Sequence, residues 1–371
     1  MKKGGKKMNA RERFIATMEF KEVDRPFRWE TPGFWEKTIL NWREEGLPDT
    51  YDLPNYFGMD KLVWMTFEGG WGGVPFCPMF DYEILEDDGT YITAVDRDGI
   101  IKKTLKYHPE TSMPQFLKFP VESMGDFEEK IKWRLNYKDM ERFPPNWDQL
   151  VKEYTGRDYP IGMFITGPFA HLRNLLGDEN LMYMIYDEPE LIKAIITNWL
   201  DFYLHFIDQV CKDVVPEFVM LFEDICFNSG PLISPDSFLE FLAPSLKQVI
   251  SKAKETGIKG IIVDTDGNFH KMLPIYLDCG ANAFYPFEVQ AGMDIIELRK
   301  EYGNKFAIVG GLSKKTLAES ESAIIEELEK KVPIIAAQGG FIPMFDHSIP
   351  PNVPLKLFQF GVDYIRNMFN K

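Results

Sequence analysis

A chain of 371 residues can bury one large core or two ordinary ones, and 45% apolar and 14% aromatic residues suit it to do so. A formal net charge of −15 and a pI near 4.9 argue against nucleic acid and anionic membrane surfaces as partners, and weigh against a strongly anionic substrate. Four dispersed cysteines without a C-x-x-C pair, no apolar run of about 18 residues and no secretory h-region after Met1–Lys7 lead to the expectation of a reduced cytoplasmic chain that crosses no membrane.

In chain order, a disordered basic tail over residues 1–8 precedes Asn9, which caps a helix running to Met18. Val23-Asp-Arg-Pro26 breaks that helix, and Phe27–Glu30 reads as a first short strand. Phe34–Glu45 is an amphipathic helix closed by Gly46, Leu53–Phe57 is helix-like, and Lys61–Thr66 is a second strand. After an irregular Gly- and Pro-rich stretch, the segments between Tyr82 and Leu105 alternate and are divided by Asp-Gly turns. They predict an antiparallel β-hairpin insertion over about 80–106, between strands 2 and 3. From residue 160, strands near 161, 217, 259, 282, 305 and 340 alternate with helices that end at Phe369. With the first two, these make eight βα units, so the expected fold class is α/β, a (β/α)8 TIM barrel forming a single domain over 9–371. A doubly wound open sheet would offer a Gly-rich nucleotide turn after its first strand, and none is present.

In such a barrel the chemistry sits at the carboxyl ends of the strands. Lys259-Gly-Ile-Ile-Val-Asp-Thr-Asp-Gly267 shows the pattern: a buried apolar run ends in two carboxylates, where one would suffice as a helix cap. Reading the ends in order gives Glu30, Thr166, Glu223 with Asp224, Asp264 with Asp266, Glu288, Gly310 with Gly311, and Asp346 with His347. An acid cluster with one histidine suits a divalent cation, zinc included, or acid–base work on a bound ligand. The alternatives for single residues are helix capping for Glu223 and Asp224, inert packing for Cys226, and a backbone-bonded loop histidine for His347. Trp71, set in Gly69-Gly-Trp-Gly-Gly73, reads as an aromatic on a lid over the mouth.

These residues carry a resemblance. Asn9-Ala-Arg-Glu-Arg-Phe with Asp24-Arg-Pro26, Thr166-Gly-Pro-Phe169, Asp264-Thr-Asp-Gly267, Pro286-Phe-Glu288, Ala291-Gly-Met-Asp294, Gly310-Gly311 and Asp346-His347 with Pro350-Pro351 occur in order. Together they are similar to the uroporphyrinogen decarboxylase superfamily over nearly the whole chain after residue 9. The resemblance implies a (β/α)8 barrel and one of two activities. Decarboxylases hold the acidic arms of a porphyrinogen with arginines in a Met-Arg-Gln-Ala-Gly-Arg run, where this chain has Phe27-Arg-Trp-Glu-Thr-Pro-Gly-Phe34 and keeps only Arg28. The other branch moves methyl groups between small methylated compounds, a corrinoid protein and an acceptor, usually with zinc. Its thiol-alkylating members carry a His-x-Cys pair where this chain reads Asp264-Thr-Asp266.

The expectation is therefore a methyltransferase or demethylase that takes a methyl group from a small O- or N-methylated compound to a corrinoid carried on a partner protein. The alternatives are a decarboxylase of a carboxylated substrate and a non-catalytic barrel that binds a tetrapyrrole or small ligand. On the methyltransferase reading His347, Asp346 and Asp264 are catalytic, and Glu223, Asp266, Glu288 and His347 bind zinc. Arg28, Glu30, Trp71, Thr166, Asp224, Gly310 and Gly311 contact substrate or corrinoid, and the chain forms a homodimer.

Overall fold

The structure is a computed structural model that describes residues 7–30, 33–49, 52–67, 75–107, 109 and 113–369. Most of the expected basic tail lies outside the described residues. The first helix, Ala10–Met18, starts where a capping box predicts: Asn9 Oδ1 accepts the Glu12 N–H, and Glu12 returns the bond to the Asn9 N–H.

The strands in chain order are β1 (Val63–Met65), then β2 (Glu83–Asp87), β3 (Tyr91–Val95), β4 (Ile101–Leu105) and β5 (Gln115–Lys118). There follow β6 (Ile161–Thr166), β7 (Phe218–Phe222), the short pair β8 (Cys226–Phe227) and β9 (Gly230–Pro231), β10 (Gly260–Asp264), β11 (Ala283–Tyr285), β12 (Ala307–Val309) and β13 (Phe341–Ile342). Seven of them form one parallel sheet in the order β1-β6-β7-β10-β11-β12-β13, so neighbours in sequence are neighbours in space. Strands β2 to β5 form a separate antiparallel sheet between β1 and β6, reaching Lys118 rather than ending near 106.

The sheet curls because its two faces bury different cores. Val219, Leu221, Ile261 and Val263 face outward into a large core shared with the helices. Phe218, Met220, Ile262, Ala283, Tyr285, Ala307, Val309 and Ile342 face inward, where they meet Phe27 and Trp29. The Trp29 ring lies 6.1 Å from Trp64 and 5.8 Å from Phe218, so the segment before β1 closes onto the inner face. That segment was expected to be a strand, yet no sheet ladder runs over Phe27–Glu30. Its backbone is held at points instead: the Arg28 carbonyl accepts the Asp60 N–H, and Phe34 bridges Ile349. Pro26 and the Asp60 carboxylate, which takes the Arg28 N–H at 2.8 Å, leave little backbone for a ladder.

At the amino ends of the strands Glu217, 3% exposed, ties three elements together. It accepts from Arg11 Nε and Arg157 Nη2, both at 2.7 Å, and from the Ile161 N–H at 2.8 Å. Residues 235–255 form two helices, Pro235–Phe241 and Ala243–Glu255, parted before Pro244. Among the described residues no helix is long and apolar enough to cross a membrane.

Candidate active site

Alternation along the strands decides which acids reach the mouth. In β7 the outward set Val219, Leu221 continues to Glu223, one residue past the strand. Glu223 is fully buried, and its Oε2 accepts the N–H groups of Phe169 and Ala170 at 3.0 and 3.3 Å. These open helix Pro168–Leu176, whose own N-cap, Gly167, has no side chain to offer. A Cβ on Gly167 would lie 2.3 Å from the Glu223 carboxyl carbon. Glu223, expected as a metal ligand, is thus a cap supplied to that helix by the neighbouring strand.

Burial pushes the Glu223 carboxyl up to about 8, against the two hydrogen bonds that favour its charge. The folded chain then keeps a proton that the unfolded chain releases near its ordinary value, so stability falls as pH rises from about 4.5 to about 8. Glu223→Gln is expected to flatten that fall, while Glu223→Ala orphans two N–H groups and costs about 1–2 kcal/mol at pH 5. Urea unfolding at pH 5 and 8.5 checks both; parallel losses in wild type and the Gln variant would refute a buried protonated Glu223.

Asp264 belongs to the inward set with Gly260 and Ile262, and lies in register between Phe222 and Tyr285. Burial first, then the charges of Asp224 and Asp266, hold its carboxyl well above the usual range. Beyond it the chain turns and Asp266 meets the last loop: Oδ2 lies 3.2 Å from His347 Nε2. Burial alone would lower the His347 pKa, but the Asp266 hydrogen bond and charge outweigh it and the net shift is upward. Asp224 stands beside this pair at a positive φ of 44°, with Arg173 donating to its carbonyl at 2.9 Å and reaching its Oδ2 at 3.6 Å. Burial and then Asp266 raise the Asp224 carboxyl, opposed by Arg173.

The remaining expected residues divide. Glu30 accepts the Phe345 N–H at 3.3 Å, and burial holds its carboxyl well above the ordinary range. Asp346, expected as a proton donor, is 1% exposed and accepts the N–H groups of Val289 and Lys314 at 2.8 and 2.9 Å. It clasps the loops after β11 and β12, with both oxygens engaged. Glu288 accepts the Gly267 N–H at 2.9 Å and faces Lys314 Nζ at 3.8 Å. Thr166 is buried and commits its backbone to Tyr203 and Trp199. Gly310 and Gly311, expected to contact ligand, are explained by packing: both have positive φ, and Cβ atoms there would meet the Pro286 carbonyl oxygen at 2.2 Å and the Ile295 side chain at 2.4 Å. Arg28 sits between inward-facing Phe27 and Trp29, so it points away from the interior it was expected to serve. Trp71 lies outside the described residues.

Two expected zinc ligands, Asp266 and His347, are brought to a separation that one ion would accept, since ligands ~2 Å from a tetrahedral centre stand ~3.3 Å apart. A third does not join them. Among the described residues only Cys77, Asp139 and Glu141 bring three ligand atoms within 4.8 Å of one another. Burial raises that thiol to about 11, which keeps it protonated and a poor ligand. The mouth as built does not fit a zinc ion, and no step is derived through one.

The mouth's cations, Arg173 and Lys314, were missed in the sequence. Each lies in the connection that follows a strand end, Arg173 in the helix after β6 and Lys314 in the turn after β12, and that position was the available signal. A cavity of about 770 Å³ is lined by Trp29, Glu30, Phe34 and Trp64 on one part of its wall and by Leu53, Asp60, Lys61 and Leu62 on another. Its size and aromatic wall suit a small planar compound.

The family model for uroporphyrinogen decarboxylase (URO-D) matches residues 103–368. No curated protein matches the chain. Among solved structures, a methyltransferase from Methanosarcina mazei is similar with a TM-score of 0.63 at 16% identity, covering 98% of this chain and 100% of that one. A B12-independent methionine synthase from a Shewanella species gives 0.42 at 13% identity, covering 93% and 97%. At 16% identity the likeness to the Methanosarcina protein is one of fold.

Proposed function

The chain belongs to the uroporphyrinogen decarboxylase family, and from that membership we propose a methyltransferase or demethylase that moves a methyl group from a small O- or N-methylated compound to a corrinoid carried on a partner protein. On this reading the curled seven-stranded sheet is completed to a (β/α)8 barrel by the extended Phe27–Glu30 segment, which stands in the place of the first strand without a ladder of its own, within a single domain over 9–371. The observation that carries the proposal is the Asp266–His347 pair at 3.2 Å, beside Asp264, whose carboxyl burial holds well above its usual range. A methyl ether has a poor leaving group, because charge builds on the departing oxygen as the carbon–oxygen bond breaks. The corrinoid supplies an electron-rich cobalt that accepts the methyl group. His347, protonated and held by Asp266 through Nε2, gives its Nδ1 proton to the departing oxygen or nitrogen. Burial holds the Glu30 and Asp264 carboxyls well above their usual range, which lessens the negative charge that the donor meets.

Decarboxylation of a porphyrinogen is the weaker reading. Arg28 faces outward, and the cations at the mouth, Arg173 and Lys314, each already face an acid. A substrate with many carboxylates would meet Asp224, Asp266 and Glu288 instead. The test supplies reduced corrinoid protein and a panel of methyl ethers and N-methyl amines, and follows methyl-cobalt by absorbance. Methyl-cobalt is expected with at least one donor and no coproporphyrinogen from uroporphyrinogen. No methyl-cobalt with any donor, from folded protein, would overturn the proposal.

A further inference from the structure

Where Arg28 points decides what it can bind. Facing away from the interior, it lines a cleft between the Arg25–Glu30 segment and helix Leu355–Met368, together with Arg25 and Arg366. The other two arginines are satisfied. Arg25 grips Asp60 with both terminal nitrogens at 2.6 and 2.7 Å, and Arg366 pairs with Asp363 at 2.8 Å and donates to the Phe57 carbonyl at 2.7 Å. Asp60 also takes Arg13 at 3.1 Å and the Arg28 N–H at 2.8 Å, so its oxygens are used. Arg13 is otherwise bound bidentately by Asp24.

The neighbourhood thus holds four guanidinium groups against the three carboxylates Asp24, Asp60 and Asp363, in a chain of formal charge −15. Arg28 is the surplus cation: among the described residues its guanidinium has no hydrogen bond and no ion pair, although it is only partly exposed. Glu30 at the cleft's edge does not serve, since its carboxyl accepts from the Phe345 N–H and makes no ion pair with Arg28. Burial and then the charges of Arg25 and Arg366 push Arg28 itself down to about 10, and the more distant charge of Asp60 offsets this only in part. A half-buried guanidinium left without a counter-ion is costly, and its planar fork matches a carboxylate in two parallel bonds.

We propose that this cleft is a binding site for one carboxylate group of a small organic acid, held by Arg28 and walled by Pro26, Val362 and Ile365. The space available to a ligand is about 20 Å³, which holds one or two water-sized groups. That admits a single carboxylate head, and the largely apolar wall favours an organic acid over phosphate. The site lies on the outer side of the segment whose inner side faces the mouth, and it does not rest on the methyl-transfer reading.

The test is calorimetric titration of the full-length protein with butyrate, with chloride at matched ionic strength and inorganic phosphate as separate arms. Saturable butyrate binding in the millimolar range is expected, with none for chloride and weaker binding for phosphate. Arg28→Met should weaken butyrate by about tenfold or more, the loss of one bidentate charged contact. Val362→Phe, which keeps every arginine and fills the cleft, should weaken it as much. Circular dichroism establishes that each variant is folded, and if Arg28→Met is not, Val362→Phe decides. No butyrate binding by the wild type, equal binding by Val362→Phe, or phosphate bound as well as butyrate would overturn the proposal.

Discussion

Replacing His347 by Gln, or Asp266 by Asn, is expected to reduce methyl transfer by about 10²–10⁴-fold and leave the fold intact, the range for removing a positioned proton donor. The fold should survive because both side chains are partly exposed, 28% and 36%, and pair with each other. The two variants fail differently. His347→Gln removes the proton itself, so activity is low at every pH. In the wild type the net upward shift keeps the imidazole charged above its ordinary range, and activity should fall as pH rises through that raised value. Removing Asp266 takes away the hydrogen bond and charge that raise it, so in Asp266→Asn the fall should move to lower pH. Any stability the pair contributes has the same sign: fully present below the ordinary histidine value and lost as pH rises through the raised one. Rate–pH profiles of the three proteins are the check. A basic limb that stays in place in Asp266→Asn, or a His347→Gln variant with more than a tenth of wild-type activity, would sink the assignment.

At the opposite end of the strands, Glu217→Ala is expected to cost about 3–5 kcal/mol, the range for breaking a buried ion pair from one side. Its carboxylate answers two guanidinium groups and one N–H, and Arg157, with its side chain 6% exposed, would be left in the interior with only the carbonyls of Tyr154 and Val215. The Ile161 N–H at the start of β6 would lose its acceptor as well. Glu217→Gln should cost less, since an amide oxygen can still accept from Ile161. Guanidinium unfolding at pH 7 gives both values. A loss below about 1 kcal/mol in the Ala variant would mean that water satisfies Arg157 and that Glu217 does not tie the amino ends of the strands together.

Much of the fold was legible because its local rules agree. Seven of the eight expected strands lie in the parallel sheet, and each is a short apolar run flanked by turn residues with a helix to follow. The Asn9 cap was readable for the same reason: a short side chain bonds an amide three residues away, wholly within the local sequence. Phe27–Glu30 was overcalled because an apolar–polar alternation describes a half-buried extended segment whether or not a neighbour completes a ladder. Pro26 and the Asp60 carboxylate settle that against the strand.

By itself the sequence determined that acids and one histidine gather at strand ends, since strand period and chain order are local properties. Which of them share a site was decided only in three dimensions. Glu223 and Asp264 look alike as acids at strand ends, yet one lies past an outward-facing Leu221 and caps a helix, while the other continues the inward set and faces the mouth. Arg28 turns outward by the same parity, because Phe27 and Trp29 fill the interior. Asp346 and His347 are adjacent in the chain, but the first is consumed by two backbone N–H groups from other loops and only the second reaches Asp266. Hydrogen-bond partners supplied by distant elements leave no local trace, and a carboxylate whose oxygens they occupy is no longer free to do chemistry.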